Sequence, residues 1–290
     1  MKFAIFGNVY QEKKSMAVQK LLNVLEERGA TIAIEENFHN FLVSWHKIQL
    51  PDCEIISNND FTADIVVSMG GDGTFLNVAS KVGNKEIPIL GINTGRLGFL
   101  ASIMAEDIEQ TICEIYSDNV NIDSHSTLEV SCDERSLVGY PYALNEVSVL
   151  KHDSSSMISI HTSINGEYLT TYQADGLLIS TPTGSTAYSL SVGGPIIVPD
   201  SHNILLCPVA PHSLNMRPLL LTDDVEIELN VESRSHNFLI AFDGRSHSYE
   251  ENIHIRIRKA NYYIKAISRK EQSFFSTIRK KMMWGADSRL

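Results

Sequence analysis

Apolar and polar positions along this chain follow two regimes, and the change falls near Asn121. Before it, short β-branched runs alternate with stretches whose apolar residues recur at helical spacing. Residues 1–8 read as a first strand, cut by Gly7-Asn8 and too short for a signal peptide. The spacing of Val18, Leu21, Leu22 and Leu25 predicts an amphipathic helix over 14–27, stopped at Gly29. A strand follows over 31–35, and 38–60 is mixed and carries no assignment. Ile65, Val66 and Val67 form a strand covered on both faces, followed by a helix to about Lys81. A buried strand is expected over 87–91, with Pro88 tolerated near its start, and a helix over 106–119 with Ile108, Ile112 and Ile115 on one face. Strands alternating with helices predict a parallel sheet of βαβ units.

After Asn121 the signals are strands: 128–131, 144–150, 158–164, 168–173, 177–180, 225–231, 238–242, 253–258 and 262–267. Asn165-Gly166 between two alternating runs is a two-residue hairpin signature. Many short strands with turn residues between them predict an antiparallel sandwich. The expected architecture is therefore an α/β nucleotide-binding domain over 1–120 with a mostly parallel sheet, then an all-β antiparallel sandwich over 121–269, α+β overall. Phe274, Phe275, Ile278, Met282, Met283 and Trp284 make the tail, 270–290, amphipathic, so it is expected to pack back on the first domain.

Composition narrows the partners. Hydrophobic content of 43% and charged content of 20% fit a globular protein, and 290 residues allow one large or two ordinary domains. A net charge of −11 argues against nucleic acid or an anionic membrane as the main partner. No window is long and apolar enough to span a bilayer, which places the expected location in the cytoplasm. Cys53, Cys113, Cys132 and Cys207 form no Cys-x-x-Cys pair, so zinc is disfavoured and reduced core thiols are expected.

The chemistry concentrates in a few stretches. After the strand at 65–67 comes Gly70-Gly71-Asp72-Gly73-Thr74. Its glycines let backbone N–H groups approach an anion, and Thr74 is a candidate N-cap of the following helix. Asp72 is an acid inside a phosphate cradle, which calls for a role such as general base or an indirect Mg²⁺ contact. The plainer reading is a strand-to-helix turn capped by Asp72, but a cap needs no three flanking glycines. A P-loop lysine and the third glycine of a dinucleotide fingerprint are both missing. The run from Gly91 through Asn93, Gly95 and Gly98 to Leu100 fits either a second loop on the same rim or an ordinary turn. Arg96 is its one cation and a candidate phosphate contact.

In the second region, Asn145 and Glu146 would point to opposite faces of a regular strand, so both meet one ligand only at a bulge or a strand start. On sequence alone a polar pair at a strand end is the simpler reading. From Asp175 to Pro195 a buried strand runs into hydroxyls and glycines, a small-molecule site in which Tyr188 can stack on a base. A serine-hydrolase elbow is excluded because Gly184-Ser185-Thr186-Ala187 lacks its second glycine.

Taken together, Gly70 to Thr74, Gly91 to Leu100, Asn145-Glu146, Asp175-Gly176, Thr181 to Ser189, Pro211-His212 with Arg217-Pro218 and the 274–284 tail make the chain similar to bacterial NAD kinases over nearly its whole length. The first motif is shared with lipid kinases; the hydroxyl-rich run is the specific part. The resemblance implies transfer of the ATP γ-phosphoryl group to the 2′-hydroxyl of the adenosine ribose of NAD, giving NADP, with Mg²⁺ or another divalent cation. It implies Asp72 as proton acceptor, and Gly70, Gly71, Gly73 and Thr74 around phosphates and ribose. It assigns Asn145 and Glu146 to the dinucleotide, Asp175 to its nicotinamide end, and Thr186, Ala187, Tyr188 and Ser191 to adenine and ribose. Ser156, Ala210 and Arg245 are further substrate positions. Gln173 stands where many relatives have arginine, a lost charge that bears on NAD against NADH preference. A homotetramer or homodimer with a site shared between subunits is also implied. Two rivals stay open: a lipid or sugar kinase using the same loop, and a silent NAD-binding sensor.

Overall fold

The computed structural model describes residues 1–8, 15–44, 48–95, 97–133, 137–153, 156–251 and 253–286. Two compact units emerge, Met1–Ser124 with Ile264–Leu290, and His125–Tyr263.

The first unit runs through β1 (Lys2–Gly7), α1 (Ser15–Glu27), β2 (Thr31–Glu35), α2 (Glu36–Ser44), β3 (Glu54–Ile56), β4 (Ile65–Gly70), α3 (Asp72–Val82), β5 (Ile89–Asn93), β6 (Ile103–Met104) and α4 (Ile108–Tyr116). Its sheet has the order β3-β2-β1-β4-β5, every pair parallel. Every residue of β4 is buried, Ser68 included, as a strand covered on both faces requires. Val18, Leu21, Leu22 and Leu25 of α1 and Ile108, Ile112 and Ile115 of α4 pack in one core with Phe3, Ile5 and Val67. The chain leaves β1 toward β2 and β3, then returns to β1's other flank as β4. That reversal between β1 and β4 is the switch point of an open parallel sheet, where the strands' carboxyl ends leave a crevice for ligands. Gly70 ends β4 there.

The mixed segment 38–60 supplies most of α2 and all of β3. The expected strand at 87–91 begins later, at Ile89; Pro88 lies before it and its carbonyl accepts the Val66 N–H at 2.9 Å. The helix expected over 106–119 is a 3₁₀ turn at Ala105–Asp107 followed by α4.

The second unit is antiparallel. Its elements are β7 (Val120–Cys132), which enters from the first unit, β8 (Tyr142–Ala143), β9 (Glu146–Lys151), β10 (Ile158–Ile164), β11 (Glu167–Ala174), β12 (Gly176–Ser180), the short helix α5 (Tyr188–Ser191), β13 (Asn203–Val209), β14 (Leu219–Thr222), β15 (Ile227–Glu232), β16 (Asn237–Phe242), β17 (Arg245–Glu250) and β18 (Ile255–Arg269). One sheet has the order β14-β13-β12-β9-β16-β17, and the other contains β11-β10-β15 with the start of β18. Alternate residues such as Val147, Val149, Leu177 and Ile179 from the first, and Ile160, Leu229 and Ile255 from the second, share one core, which makes a sandwich. The opposite face of β12 and β13 places Leu178, Leu205 and Cys207 in a smaller cluster with Ile197. Asn165 and Gly166 both have positive φ, 51° and 79°, as the hairpin reading demands.

Four strands described in this unit were not expected: β8, β13, β14 and β17. The two strands read at 253–258 and 262–267 are one continuous strand, β18. From Ile264 on this strand belongs to the first unit, where Ala266 and Ile267 pair parallel with β5. The tail forms α6 (Phe274–Met282), started by a Ser273–Ser276 capping box. Ile278 is buried, whereas Phe275, Met283 and Trp284 are exposed, so the apolar cover expected for the tail is only partial. The expectation of core thiols also needs correction: of the four cysteines only Cys207 is buried, Cys53 and Cys132 are half-buried and Cys113 is exposed. No helix among the described residues is long and apolar enough to cross a membrane.

Candidate functional site

The turn after β4 is built from the strand's end and the helix's start. Gly71 is the N-cap of α3, with extended backbone and no side-chain cap bond. Asp72 is therefore the first helical residue, and Thr74 lies inside the first turn, donating its N–H to the Gly71 carbonyl at 3.0 Å. Neither Thr74 nor Asp72 is the cap that the sequence allowed. An α-helix start of this kind points unbonded N–H groups and a positive dipole end at the loop.

Asp72 is instead held by the loop after β5. Phe99 N–H donates to Oδ2 at 2.9 Å, and the N–H groups of Leu100 and Ala101 donate to Oδ1 at 3.0 and 2.9 Å. This resolves the two readings of the Gly91–Leu100 run: it is a loop on the same rim, and its described part fixes the acid. Asn93, 1% exposed, pins the loop by donating to the Ala101 carbonyl at 3.1 Å and accepting from Gly95 N–H at 2.7 Å. Gly98 is required because a Cβ there would run into the Asp72 carboxylate. Thr94 N–H reaches the Gly70 carbonyl at 3.3 Å, and its buried Oγ1 has no partner. Arg96 lies outside the described residues. The cation that does reach this site was missed: Lys281 Nζ of α6 stands 3.2 Å from Asp72 Oδ2.

In the second unit, Asn145 precedes β9 and Glu146 opens it, so the pair sits at a strand start, one of the two geometries that let both side chains meet one ligand. Both are buried, at 8% and 7% exposure, and Asn145 Oδ1 and Glu146 Oε2 have no hydrogen-bond partner. Buried polar atoms are almost always bonded, so orphans side by side mark a place for a ligand's hydroxyls. Burial, and then the nearby Asp243 charge, push the Glu146 carboxyl up to about 7, opposed by the Tyr188 backbone N–H.

The backbone of this pair is held by Asp243. Its Oδ2 accepts the Leu144 N–H at 2.8 Å, and Oδ1 accepts those of Asn145 and Glu146 at 2.7 and 3.2 Å. Burial pushes this carboxyl up, against the pull of the three N–H bonds. Asp243 was missed, although Asp243-Gly244, with φ of 49° and 83°, is the same two-residue turn signature as Asn165-Gly166.

Many hydroxyls of the dense run serve the loop itself. Thr181 Oγ1 donates to the Leu144 carbonyl at 2.6 Å, Ser185 Oγ accepts the Ile197 N–H at 3.0 Å, and Thr183 Oγ1 lies 2.9 Å from His125 Nδ1. A Cβ on Gly184 would strike the Asn145 backbone, so glycine lets this loop lie against the polar pair. Tyr188 and Ser191 are exposed, and Thr186 and Ala187 are partly so. Arg245 is already engaged: its guanidinium donates to the Phe242, Tyr140 and Tyr142 carbonyls at 3.0, 3.3 and 2.8 Å.

The second unit thus sorts its expected site residues into two groups. Ser180 pairs with Glu146 at one end of β12, and Gly176 with Leu150 at the other. Asn145, Glu146 and the residues 186–188 belong to the first end. Asp175, which pairs with Lys151 at 2.6 Å, belongs to the second. So do Gln173, whose carbonyl accepts the His212 N–H at 2.9 Å, and Ala210, at φ 45° just past β13. Ser156 lies two residues before Ile158, the partner of Ala174. At about 3.3 Å per residue the two groups stand roughly 13–16 Å apart, the span of an extended dinucleotide rather than one sugar.

Among the described residues, no three His, Cys, Asp or Glu side chains converge so as to hold a metal ion. Asp72, the carboxylate of the glycine loop, already accepts from three N–H groups and Lys281. These donors do not make a dedicated divalent-cation cage.

Comparison with known proteins adds the family. A model described as the ATP-NAD kinase N-terminal domain matches residues 3–120, and one described as the ATP-NAD kinase C-terminal domain matches 144–269. A protein named NAD kinase from Bacteroides fragilis is 58% identical over 290 residues, covering 100% of both chains. Another from Porphyromonas gingivalis is 42% identical over 285 residues, 98% of each. Among solved structures, yeast NADH kinase complexed with NADH has a TM-score of 0.89 at 24% identity, covering 100% of this chain and 89% of that one. An NAD kinase from Archaeoglobus fulgidus in complex with ATP has a TM-score of 0.75 at 24% identity, covering 96% and 99%. These two share the fold.

Proposed function

This chain belongs to the NAD kinase family, an ATP-dependent enzyme that phosphorylates NAD, and from that premise we propose that the acceptor is the 2′-hydroxyl of the adenosine ribose and that Asp72 is its general base. The observation that carries this reading is the fixed carboxylate of Asp72 at the mouth of the glycine turn, oriented by three N–H groups of the second loop.

A sugar hydroxyl is a poor nucleophile at neutral pH. As its oxygen forms a bond to the γ-phosphorus, the bridging P–O bond to ADP breaks and its electron pair stays on the β-phosphate. The hydroxyl proton passes to Asp72 and then to water. The backbone of Gly70, Gly71, Gly73 and Thr74 holds the nucleotide phosphates at the start of α3. Asn145 and Glu146 take ribose hydroxyls through their orphaned oxygens, and Thr186, Ala187, Tyr188 and Ser191 surround adenine. Ser156, Gln173, Asp175 and Ala210 meet the nicotinamide half, of the same or a neighbouring subunit's dinucleotide, in a homodimer or homotetramer. Arg245 acts by bracing the turn that carries Asp243. The divalent cation enters as part of the Mg²⁺–ATP substrate, where it offsets phosphate charge.

The test is to incubate the protein with Mg²⁺–ATP and NAD, NADH or diacylglycerol, and to locate the new phosphate by ³¹P and ¹H NMR. Phosphate on the 2′-oxygen of the adenosine ribose supports the reading. A 3′-phosphate, a phosphorylated lipid, or NAD binding without ADP release contradicts it.

A further inference from the structure

The C-terminal helix brings a cation to Asp72, and nothing in the proposed reaction has yet used it. Lys281 Nζ lies 3.2 Å from Asp72 Oδ2 and 4.4 Å from the centre of the Phe99 ring. Phe99 is also the residue whose N–H donates to the same Oδ2. The helix is seated on this same loop. Phe274 packs on Phe99 with ring centres 6.2 Å apart, and Gln272 Nε2 donates to the Ser102 carbonyl at 3.2 Å. The capping box at Ser273 fixes where α6 starts, and buried Ile278 holds its middle turn. Lys281 therefore reaches the acid from an anchored helix.

The pair itself is open to exchange. The Lys281 and Asp72 side chains are 33% and 29% exposed, and ion pairs that wet contribute little to stability. An ammonium on a four-carbon stem has three donors and turns readily between acceptors. A phosphoryl group bound in the glycine turn would place anionic oxygens beside Asp72, and two like charges there need a cation between them. Among the described residues, Lys281 is the cation whose contact with Asp72 is in place.

We propose that Lys281 is a phosphoryl-contacting residue of this reaction, paired with Asp72 before nucleotide binds and passing its contact to the γ-phosphoryl oxygens as transfer proceeds. The inference rests on Asp72 being the base. Lys281 keeps its proton throughout. It steadies charge on the phosphoryl oxygens while the ribose oxygen–phosphorus bond forms, the bond to ADP breaks, and the ribose proton goes to Asp72. Its departure from Oδ2 frees that oxygen for the hydroxyl.

The test compares Lys281→Met, Lys281→Arg and Lys280→Met with the wild type and with Asp72→Asn. The readouts are kcat, KM for each substrate, and calorimetric affinity for a non-hydrolysable ATP analogue with Mg²⁺. Lys281→Met is expected to lower kcat on the order of 10–100-fold and to weaken the ATP analogue, with KM for NAD moving less than about threefold. Lys281→Arg is expected to recover most of kcat, and the exposed neighbour Lys280→Met to change nothing. Turnover of Lys281→Met within about twofold of wild type overturns the inference. So does an equal loss in Lys281→Met and Lys281→Arg with a lowered melting temperature in both, the mark of a structural anchor. If Asp72→Asn turns over normally, the base assignment falls and the exchange with it. If Asp72→Asn is inactive while Lys281→Met is not, the exchange alone falls.

Discussion

Asp72 and Asp243 meet the same geometric condition in two different units: each carboxylate accepts three consecutive backbone N–H groups. Asp72 takes those of Phe99, Leu100 and Ala101; Asp243 takes those of Leu144, Asn145 and Glu146. What separates them is exposure and setting. The Asp243 side chain is 5% exposed, in a tight turn between β16 and β17, with Arg245 at 3.9 Å. The Asp72 side chain is 29% exposed, at the first residue of a helix, with Gly70 and Gly71 before it and Gly73 after it and a flexible lysine at 3.2 Å. In the buried case the acid organises the backbone. In the open case the backbone organises the acid, leaving an edge of the carboxylate for a substrate. The same motif thus serves as a brace in one place and as a mount for a reactive group in the other.

The contrast is sharpest when each acid is removed. Asp72→Asn is expected to lower kcat by on the order of 10²–10⁴ with a smaller loss of stability than Asp243→Ala, because the amide oxygen still accepts the Leu100 and Ala101 N–H groups, its NH2 faces only the Phe99 N–H and Lys281, and the amide takes no proton. Asp243→Ala should do the reverse. It leaves three buried N–H groups without their acceptor, so urea unfolding should show a loss of about 3 kcal/mol, with NAD affinity falling because Asn145 and Glu146 lose their support. A stable Asp243→Ala would dissolve the distinction.

Gly98→Ala is the next largest effect. The new methyl group meets the Asp72 carboxylate, so the acid must turn away from its three donors. A fall in kcat of at least about tenfold is expected, with NAD binding by calorimetry intact. If kcat is unchanged, the clamp has no part in orienting the base.

The smallest effect is a pH dependence. The Glu146 carboxyl titrates at about 7, above its ordinary 4.5. The folded state therefore holds this proton more tightly than the unfolded chain. Stability falls as pH rises from about 4.5 through 7, and the cost is complete above that. Glu146→Gln should then be more stable than wild type by about 1–3 kcal/mol at pH 8, and the advantage should vanish below about pH 5. Paired denaturation curves at the two pH values read this directly; equal differences at both would mean that Glu146 is not held in its acid form.

How much of this was legible follows the same line between local and distant causes. The β4–turn–α3 stretch was readable because strand, glycines and helix are neighbours in sequence, and the Asn165-Gly166 hairpin for the same reason. The strand β13 was hidden by Pro208, which breaks a run reading Ile204 to Cys207 that is otherwise plainly buried. β17, Arg245–Glu250, is an edge strand with one fully buried residue, Tyr249, so it shows no apolar alternation. Arg96 is conspicuous in the sequence as the charge inside a glycine loop, whereas Lys281 stands in Arg279-Lys280-Lys281, which looks like an ordinary solvated helix end. Only the fold, bridging 209 positions, brings it to Asp72. Asp243 shows the limit from the other side: its turn signature was present, but the three bonds it accepts connect residues nearly a hundred positions apart.

The most direct measurement is single-turnover phosphoryl transfer by Asp72→Asn, with NAD and Mg²⁺–ATP bound at saturation confirmed by calorimetry on the same preparation. The account predicts wild-type-like binding and a transfer rate at least about a hundredfold slower. A transfer rate near that of the wild type would contradict it.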